Sequence, residues 1–87
     1  MAEMTVVVID GQGGGIGAHI IEKMQKNLPE SSLEKMDIIA LGTNAIATSL
    51  MMKAGANKAA TGENSIVQVC KSANIIIGSW AIVIPNS

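Results

Sequence analysis

The sequence predicts an α/β fold, a three-layer sandwich in which helices cover both faces of a mostly parallel sheet of about four strands. Short, continuously apolar runs alternate along the chain with segments whose apolar residues recur at helical spacing. Each run stops at glycine or at a small polar residue, as strands do where they enter turns. The chain has 87 residues, a length typical of one domain, so we expect a single domain over residues 1–87.

The predicted strands are short and rich in β-branched residues, and they span residues 4–9, 37–41, 57–60 and 75–77. Continuous apolar runs of this kind are typical of parallel strands that are buried on both faces. The third run is instead rich in alanine, which strands use sparingly. Three helical segments separate the four strands, and right-handed crossovers would therefore place helices on both faces of the sheet.

The helical segments are recognised by apolar spacing and by residues that begin or end helices. The first carries Ile16, Ile20, Met24 and Leu28 at intervals of four and ends near Pro29. We expect a short helical turn within residues 29–35, with Ser31 capping it against Glu34. The second helix is capped by Thr43 or Asn44 and ends at Gly55, and the third begins near Glu63 or Asn64 and extends to Ala73.

The last apolar run, residues 81–84, has no helical segment after it in the sequence. Such an uncovered run indicates either a chain truncated at the C-terminus or a surface that contacts a partner. A short chain of high apolar content also has little surface with which to cover its core. We therefore expect a homodimer.

A glycine-rich turn follows the first strand directly and opens the first helix. It comprises Asp10, Gly11, Gln12, Gly13, Gly14, Gly15, Ile16 and Gly17. Its glycines match two spacings found in dinucleotide-binding folds, GxxxGxG from Gly11 and GxGxxA from Gly13. Glycines allow a tight turn and a close approach of backbone to phosphate, and the helix N-terminus favours an anion. The fold class is thus Rossmann-like, with a phosphate-bearing ligand predicted at this turn.

Small polar residues also follow the other predicted strands. They are Thr43, Asn44, Gly62, Glu63, Asn64, Gly78 and Ser79. The carboxyl ends of parallel strands meet at one edge, where such folds bind ligands, so we expect these residues to line the site. Each also has a purely structural interpretation, because threonine and asparagine cap helices and glycine ends strands. Asp10 likewise either folds back onto the turn as a cap or places negative charge near a phosphate.

The chain departs from ordinary dehydrogenases in three respects. No acidic residue stands at the end of the second strand to bond a ribose, and there is no arginine for an NADP phosphate. Tyrosine is also absent, which excludes the Tyr-Lys acid of short-chain dehydrogenases. NAD(P) or another nucleotide is a possible cofactor, but its identity stays open.

Composition excludes several partners and sites. Six lysines without a basic run, at a net charge of −1, make nucleic acid an unlikely target, and no apolar run is long enough for a membrane anchor. The single cysteine, Cys70, lies on an apolar helix stripe, which indicates an inert thiol in a cytoplasmic protein. No metal-ligand spacing is present. His19 is interpreted as a surface or interface histidine rather than a contact to a ligand phosphate. Trp80 would either stack on a base or anchor a subunit contact.

Four segments together resemble a family of short bacterial proteins known only as a domain of unknown function. They are residues 9–17 (IDGQGGGIG), 40–44 (ALGTN), 60–64 (ATGEN) and 75–78 (IIIG). The resemblance covers essentially the whole chain. It implies a small Rossmann-like protein with no assigned activity or catalytic residues, and family members that continue beyond the position of Ser87.

Three functions remain open on the sequence. The first is a module that binds a nucleotide or a phosphate-bearing metabolite at the glycine-rich turn. The second is an NAD(P)-dependent oxidoreductase or another cofactor-using enzyme subunit, whose catalytic residues the sequence does not identify. The third is an oligomeric structural protein in which the glycines only shape a turn.

Overall fold

A computed structural model describes residues 3–11, 15–78 and 82–83 of the chain. Strands and helices alternate along it as the apolar pattern predicts. In chain order they are β1 (Met4–Asp10), α1 (Gly15–Asn27), α2 (Glu30–Leu33), β2 (Met36–Gly42), α3 (Ala45–Ala54), β3 (Lys58–Thr61), α4 (Glu63–Cys70), β4 (Ile75–Ile77) and β5 (Ile82–Val83).

The strands form one sheet in the order β3-β2-β1-β4-β5. The first four strands are parallel, and β1 lies between β2 and β4, with Val7 paired to Ile39 on one side and to Ile76 on the other. This is the order of the first four strands of a Rossmann fold, so the predicted fold class is confirmed. The last apolar run contributes the antiparallel strand β5, while residues 81 and 84 lie outside the described residues.

Alternate residues of β1 face opposite sides of the sheet and divide the core into two layers. Val6 and Val8 belong to a buried cluster with Ile21 of α1 and Met51 of α3. Val7 faces the other way, into a cluster against which Val69 and Cys70 of α4 also pack. Helices therefore cover both faces of the sheet, as the sequence predicts.

Two helix boundaries differ from their predictions. Ser31 does not cap α2, because Pro29 occupies the N-cap position without a side-chain hydrogen bond and the helix begins before Ser31. Proline suits such a position, since its fixed φ fits the entry into a helix. At the other end of the chain, α4 stops at Cys70 rather than Ala73, although Ala73 is buried in the core.

No helix among the described residues is long and apolar enough to cross a membrane.

Candidate functional site

The carboxyl ends of the parallel strands meet at one edge of the sheet, which we call the carboxyl edge. Along the sheet, this edge is formed by Thr61 of β3, Gly42 of β2, Asp10 of β1 and Ile77 of β4. From β1 the chain crosses to β2 and then to β3. It reaches β4, on the opposite side of β1, as the last of the four parallel strands. Strand order therefore reverses at β1, and open α/β sheets bind ligands at such a reversal. The glycine-rich turn leaves β1 at this point.

Gly17 brings α1 into close contact with the sheet and with α3. A Cβ atom at Gly17 would lie 2.5 Å from the sulfur of Met51 and 3.1 Å from Cβ of Asp10. Real side chains do not tolerate the first of these distances without a shift of the neighbour. Gly17 thus plays the part of the glycine that permits close helix–strand packing in dinucleotide folds.

Gly15, unlike Gly17, is not crowded by neighbouring elements. It is exposed at the first position of α1, and no atom of the described residues lies within 4 Å of a Cβ built on it. The next residue, Ile16, also exposes 51% of its surface. The start of α1 therefore presents bare backbone and one apolar side chain to the outside of the carboxyl edge.

Asp10 is the buried polar residue of this region, with 1% of its surface exposed. Its Oδ2 accepts a hydrogen bond of 2.8 Å from the backbone N–H of Gly17. The first N–H groups of a helix have no partner within the helix, and carboxylates stabilise them. Asp10 therefore caps α1 from seven residues away, and its carboxylate ties the end of β1 to the helix that follows.

Thr43 joins the end of β2 to the glycine-rich turn. Its N–H donates to the carbonyl of Asp10 at 3.2 Å, and its hydroxyl donates to the carbonyl of Gly11 at 3.1 Å. Asn44 then takes the N-cap position of α3, where Oδ1 accepts from the N–H of Ala47 at 2.9 Å. Of the two caps that the sequence allowed, Asn44 is the one that forms.

Thr48 and Thr61 form a hydroxyl pair between α3 and the end of β3, with their oxygens 2.8 Å apart. The Thr48 hydroxyl also donates to the carbonyl of Asn44 at 3.0 Å. A hydroxyl carries a single hydrogen, so Thr61 must be the donor within the pair. Both hydroxyl hydrogens are therefore used inside the protein.

Sequence reasoning missed Thr48 and Met51, because their contacts depend on how α3 lies across the sheet. Neither residue belongs to a motif. The spacing of residues around Thr48 in the sequence predicts only that this part of α3 packs as a helix. The pairing of Gly42 with Thr61 in the sheet register brings the two threonines together. No local feature of the sequence predicts how β2 and β3 are aligned in the sheet.

The other predicted site residues that the structure describes follow β3 and β4 at the same edge. Gly62 has a φ of 107°, in the region that favours glycine, and its N–H donates to the carbonyl of Gly42 at 3.2 Å. Gly62, rather than Glu63 or Asn64, takes the N-cap position of α4, and those two residues begin the helix. Gly78 follows β4 and is half-buried, whereas Gln12, Gly13, Gly14 and Ser79 lie outside the described residues.

Two other candidate residues, His19 and Cys70, lie on helices, and a third is not described. His19 is exposed on α1 and borders a shallow groove with Ile20, Lys23 and Met24. Cys70 is half-buried at the end of α4, and burial raises the pKa of its thiol. A raised pKa lowers the thiolate fraction, which agrees with the interpretation of an inert thiol. Trp80 lies outside the described residues.

Comparison with known proteins gives one match. No curated protein and no solved structure matches the chain. A family model does match, over residues 5–87, and it is described as a domain of unknown function, DUF3842. This match covers nearly the whole chain and agrees with the resemblance seen in its four segments. The chain therefore belongs to the DUF3842 family.

Proposed function

We propose that the chain binds a nucleotide or another phosphate-bearing metabolite at the carboxyl edge, with the backbone around Gly15 as the phosphate contact. The observation that carries the proposal is the contrast between Gly15 and Gly17. Gly17 is needed for packing, whereas no described atom outside the adjoining chain lies within 4 Å of a Cβ built on Gly15, which is exposed. A bare backbone at a helix start is what a phosphate approaches most closely.

The hydrogen bonds at the start of α1 limit where this contact falls. The N–H of Gly17 already donates to Asp10. A phosphate would therefore meet the backbone that precedes Gly17, on the open side where Gly15 and Ile16 are exposed. The exposed Ile16 would then provide apolar contact for the rest of the ligand.

Gly15→Asp tests the proposal without disturbing the fold. A carboxylate in the first turn of a helix is favourable, and open space surrounds this position, so we expect the melting temperature to be kept or raised. The same carboxylate would repel a phosphate. We expect ATP, NAD⁺ or a sugar phosphate to raise the melting temperature of the unmodified protein and to leave that of Gly15→Asp unchanged.

Ala45→Asp is the matched control. Ala45 is exposed at the first position of α3, so this variant adds the same charge at the same edge but on the neighbouring helix. It should retain ligand binding. The proposal fails if no phosphate compound stabilises the unmodified protein, or if Gly15→Asp binds as well as Ala45→Asp.

We also propose that two copies of the chain associate through α3. Ile46 exposes 70% of its surface, Leu50 39% and Met52 42%, an unusual concentration of large apolar side chains on one short helix. Ile46 and Leu50 are four residues apart and so lie on the same side of the helix. Burial of such residues against a second copy would remove apolar surface from water.

Sedimentation velocity tests this association. We expect a dimer at micromolar concentration, and Ile46→Glu should shift the protein to monomer because it places a charge in the contact. Ser31→Glu, on the exposed side of α2, adds the same charge elsewhere and should leave the dimer intact. A monomeric unmodified protein would contradict the proposal.

A further inference from the structure

The outward side of α3 carries a ridge of large apolar side chains beside a groove. Ile46 and Leu50 form the ridge, since both are exposed and they lie one helical turn apart. Ala45 and Ser49, which are also exposed and one turn apart, leave the groove because their side chains are small. Lys53 lines the far end of this groove. Ridge and groove therefore lie side by side, and each pair of residues extends about 6 Å along the helix.

A second copy of α3 fits this face. When a twofold axis passes close to Ser49, the ridge of each helix lies over the groove of the other, as helices pack ridges into grooves. One symmetry operation then fills both grooves and covers both ridges, which is the property of an isologous contact. A different partner would need a ridge and a groove of the same spacing. The face is thus complementary to itself.

The charges on α3 distinguish the two orientations that a twofold axis allows. Lys53 is the only charged residue of this helix, and the helix start and end carry partial positive and negative charge. A parallel pair would place like ends together and the two lysines side by side. An antiparallel pair places each helix start beside the partner's helix end and separates the lysines by about 12 Å along the helices. Charge complementarity therefore favours the antiparallel pair, in which the exposed lysine ammonium groups can stay in water.

We infer, on the basis of the proposed association through α3, that the two copies of this helix pack antiparallel with Ser49 at the crossing. The helix begins at the carboxyl edge, where its first turn packs against Gly42, and it ends towards the opposite edge of the sheet. The carboxyl edges of the two copies consequently point in opposite directions. Each copy keeps its own strand ends, and no ligand site is shared across the contact.

Sedimentation equilibrium of Ala45→Asp tests the orientation, with Ala45→Asn as a neutral control of similar size. In an antiparallel pair the new carboxylate lies near the partner's Lys53, whereas in a parallel pair it lies near its own counterpart. At low ionic strength we expect Ala45→Asp to have a dimer dissociation constant lower than that of Ala45→Asn by about twofold or more, the effect of two exposed ion pairs. An equal or higher constant would overturn the inference. Both substitutions are at an exposed position, so the fold should be kept.

Cysteine cross-linking gives a second measurement. The background is Cys70→Ala, which removes the natural thiol and should still form a dimer because Cys70 packs on the other face of the sheet from α3. Added diamide accepts the electrons and protons of two thiols as they join in a disulfide. We expect Ser49→Cys to link two copies, and Ala45→Cys to link none because its two positions lie about 12 Å apart along the helices.

The cross-linking result separates failure of the inference from failure of the association. A disulfide through Ala45→Cys, or none through Ser49→Cys, in a protein that sediments as a dimer would overturn the antiparallel packing and leave the association standing. An unmodified protein that stays monomeric at micromolar concentration would overturn the association, and the inference with it.

Discussion

Gly17 and Gly15 show that two glycines of one motif meet different physical demands. Both belong to the same spacing, in which dinucleotide-binding folds use the second glycine for the approach to phosphate and the third for helix–strand packing. The structure separates them by what surrounds each Cβ position: the Met51 sulfur and Asp10 at Gly17, and open space at Gly15. Gly17 is therefore required for packing, whereas the position of Gly15 has room for a side chain.

Substitution of each glycine by alanine should have opposite effects on stability. Gly17→Ala places a methyl group against the Met51 sulfur and the Asp10 side chain, and overpacking of this kind costs about 1–3 kcal/mol of unfolding free energy. Gly15→Ala has room and removes backbone entropy from the unfolded chain, so we expect it to be neutral or to stabilise by about 0.5–1 kcal/mol. Urea denaturation followed by far-ultraviolet circular dichroism measures both. Equal effects would contradict the assigned roles.

The burial of Cys70 leads to a prediction about how stability and thiol reactivity depend on pH. Burial raises the pKa of its thiol, so the folded state favours the neutral form more than the unfolded state does. Its contribution to stability is therefore complete at neutral pH and is lost only as pH rises through the raised pKa. Ellman's reagent at mildly alkaline pH should react more slowly with the folded protein than with the urea-unfolded chain. Equal rates would show a thiol that burial does not affect.

At the scale of elements, the end of β2 is held by α3 through its cap. The Asn44 side chain accepts from Ala47, and the Asn44 carbonyl accepts from Thr48. Loss of the side chain would leave the first turn of α3 less firmly held against Gly42. The start of α3 and its contact with the end of β2 should therefore weaken together.

Asn44→Ala should lower the unfolding free energy by about 0.5–2 kcal/mol, the usual cost of losing an N-cap. Asn44→Asp keeps an acceptor oxygen at the same place and should cost much less. Thermal denaturation of the two variants, compared under the same buffer, measures the difference. If Asn44→Asp loses as much stability as Asn44→Ala, the hydrogen bond to Ala47 is not the stabilising contact.

The strands and long helices could be predicted from the sequence because each carries its own signal. Apolar runs and intervals of four residues locate β1, β2, β4 and α1, and asparagine and glycine mark both ends of α3. The errors fall at short helices, where local signals compete: Ser31 resembles a cap, yet Pro29 begins α2. In the site, a cap formed by Asp10 could be predicted as one of two alternatives, but its partner, the N–H of Gly17, depends on packing between elements.

At the scale of the whole molecule, the lysines are divided unequally between the two edges of the sheet. Parallel strands require each long connecting helix to start at the carboxyl edge and to end at the opposite one. The lysines lie at the far end or middle of the helices and at strand starts, for example Lys26, Lys53, Lys58 and Lys71. The described residues nearest the carboxyl edge include Asp10 and Glu63 but no lysine. A ligand there would be held by backbone dipoles rather than by cationic side chains.

This division predicts a weak dependence of binding on salt. Attraction between a phosphate and exposed lysines falls as ionic strength rises, whereas hydrogen bonds from backbone amides are affected much less. We expect the affinity for AMP to change by less than about twofold between about 0.05 M and about 0.3 M sodium chloride. A loss of about tenfold over that range would indicate lysines at the site.

The central position of β1 has a consequence for synthesis of the chain. This strand is synthesised well before one of its two neighbours, β4, which is formed by residues 75–77. Until β4 is synthesised, the edge of β1 that pairs with it stays unpaired and the apolar side of β1 stays incompletely covered. Both are then open to wrong pairing with other nascent chains. The sheet is thus expected to close only after residues 75–77 have been synthesised, and cellular yield should depend on chaperones that shield β1 until then.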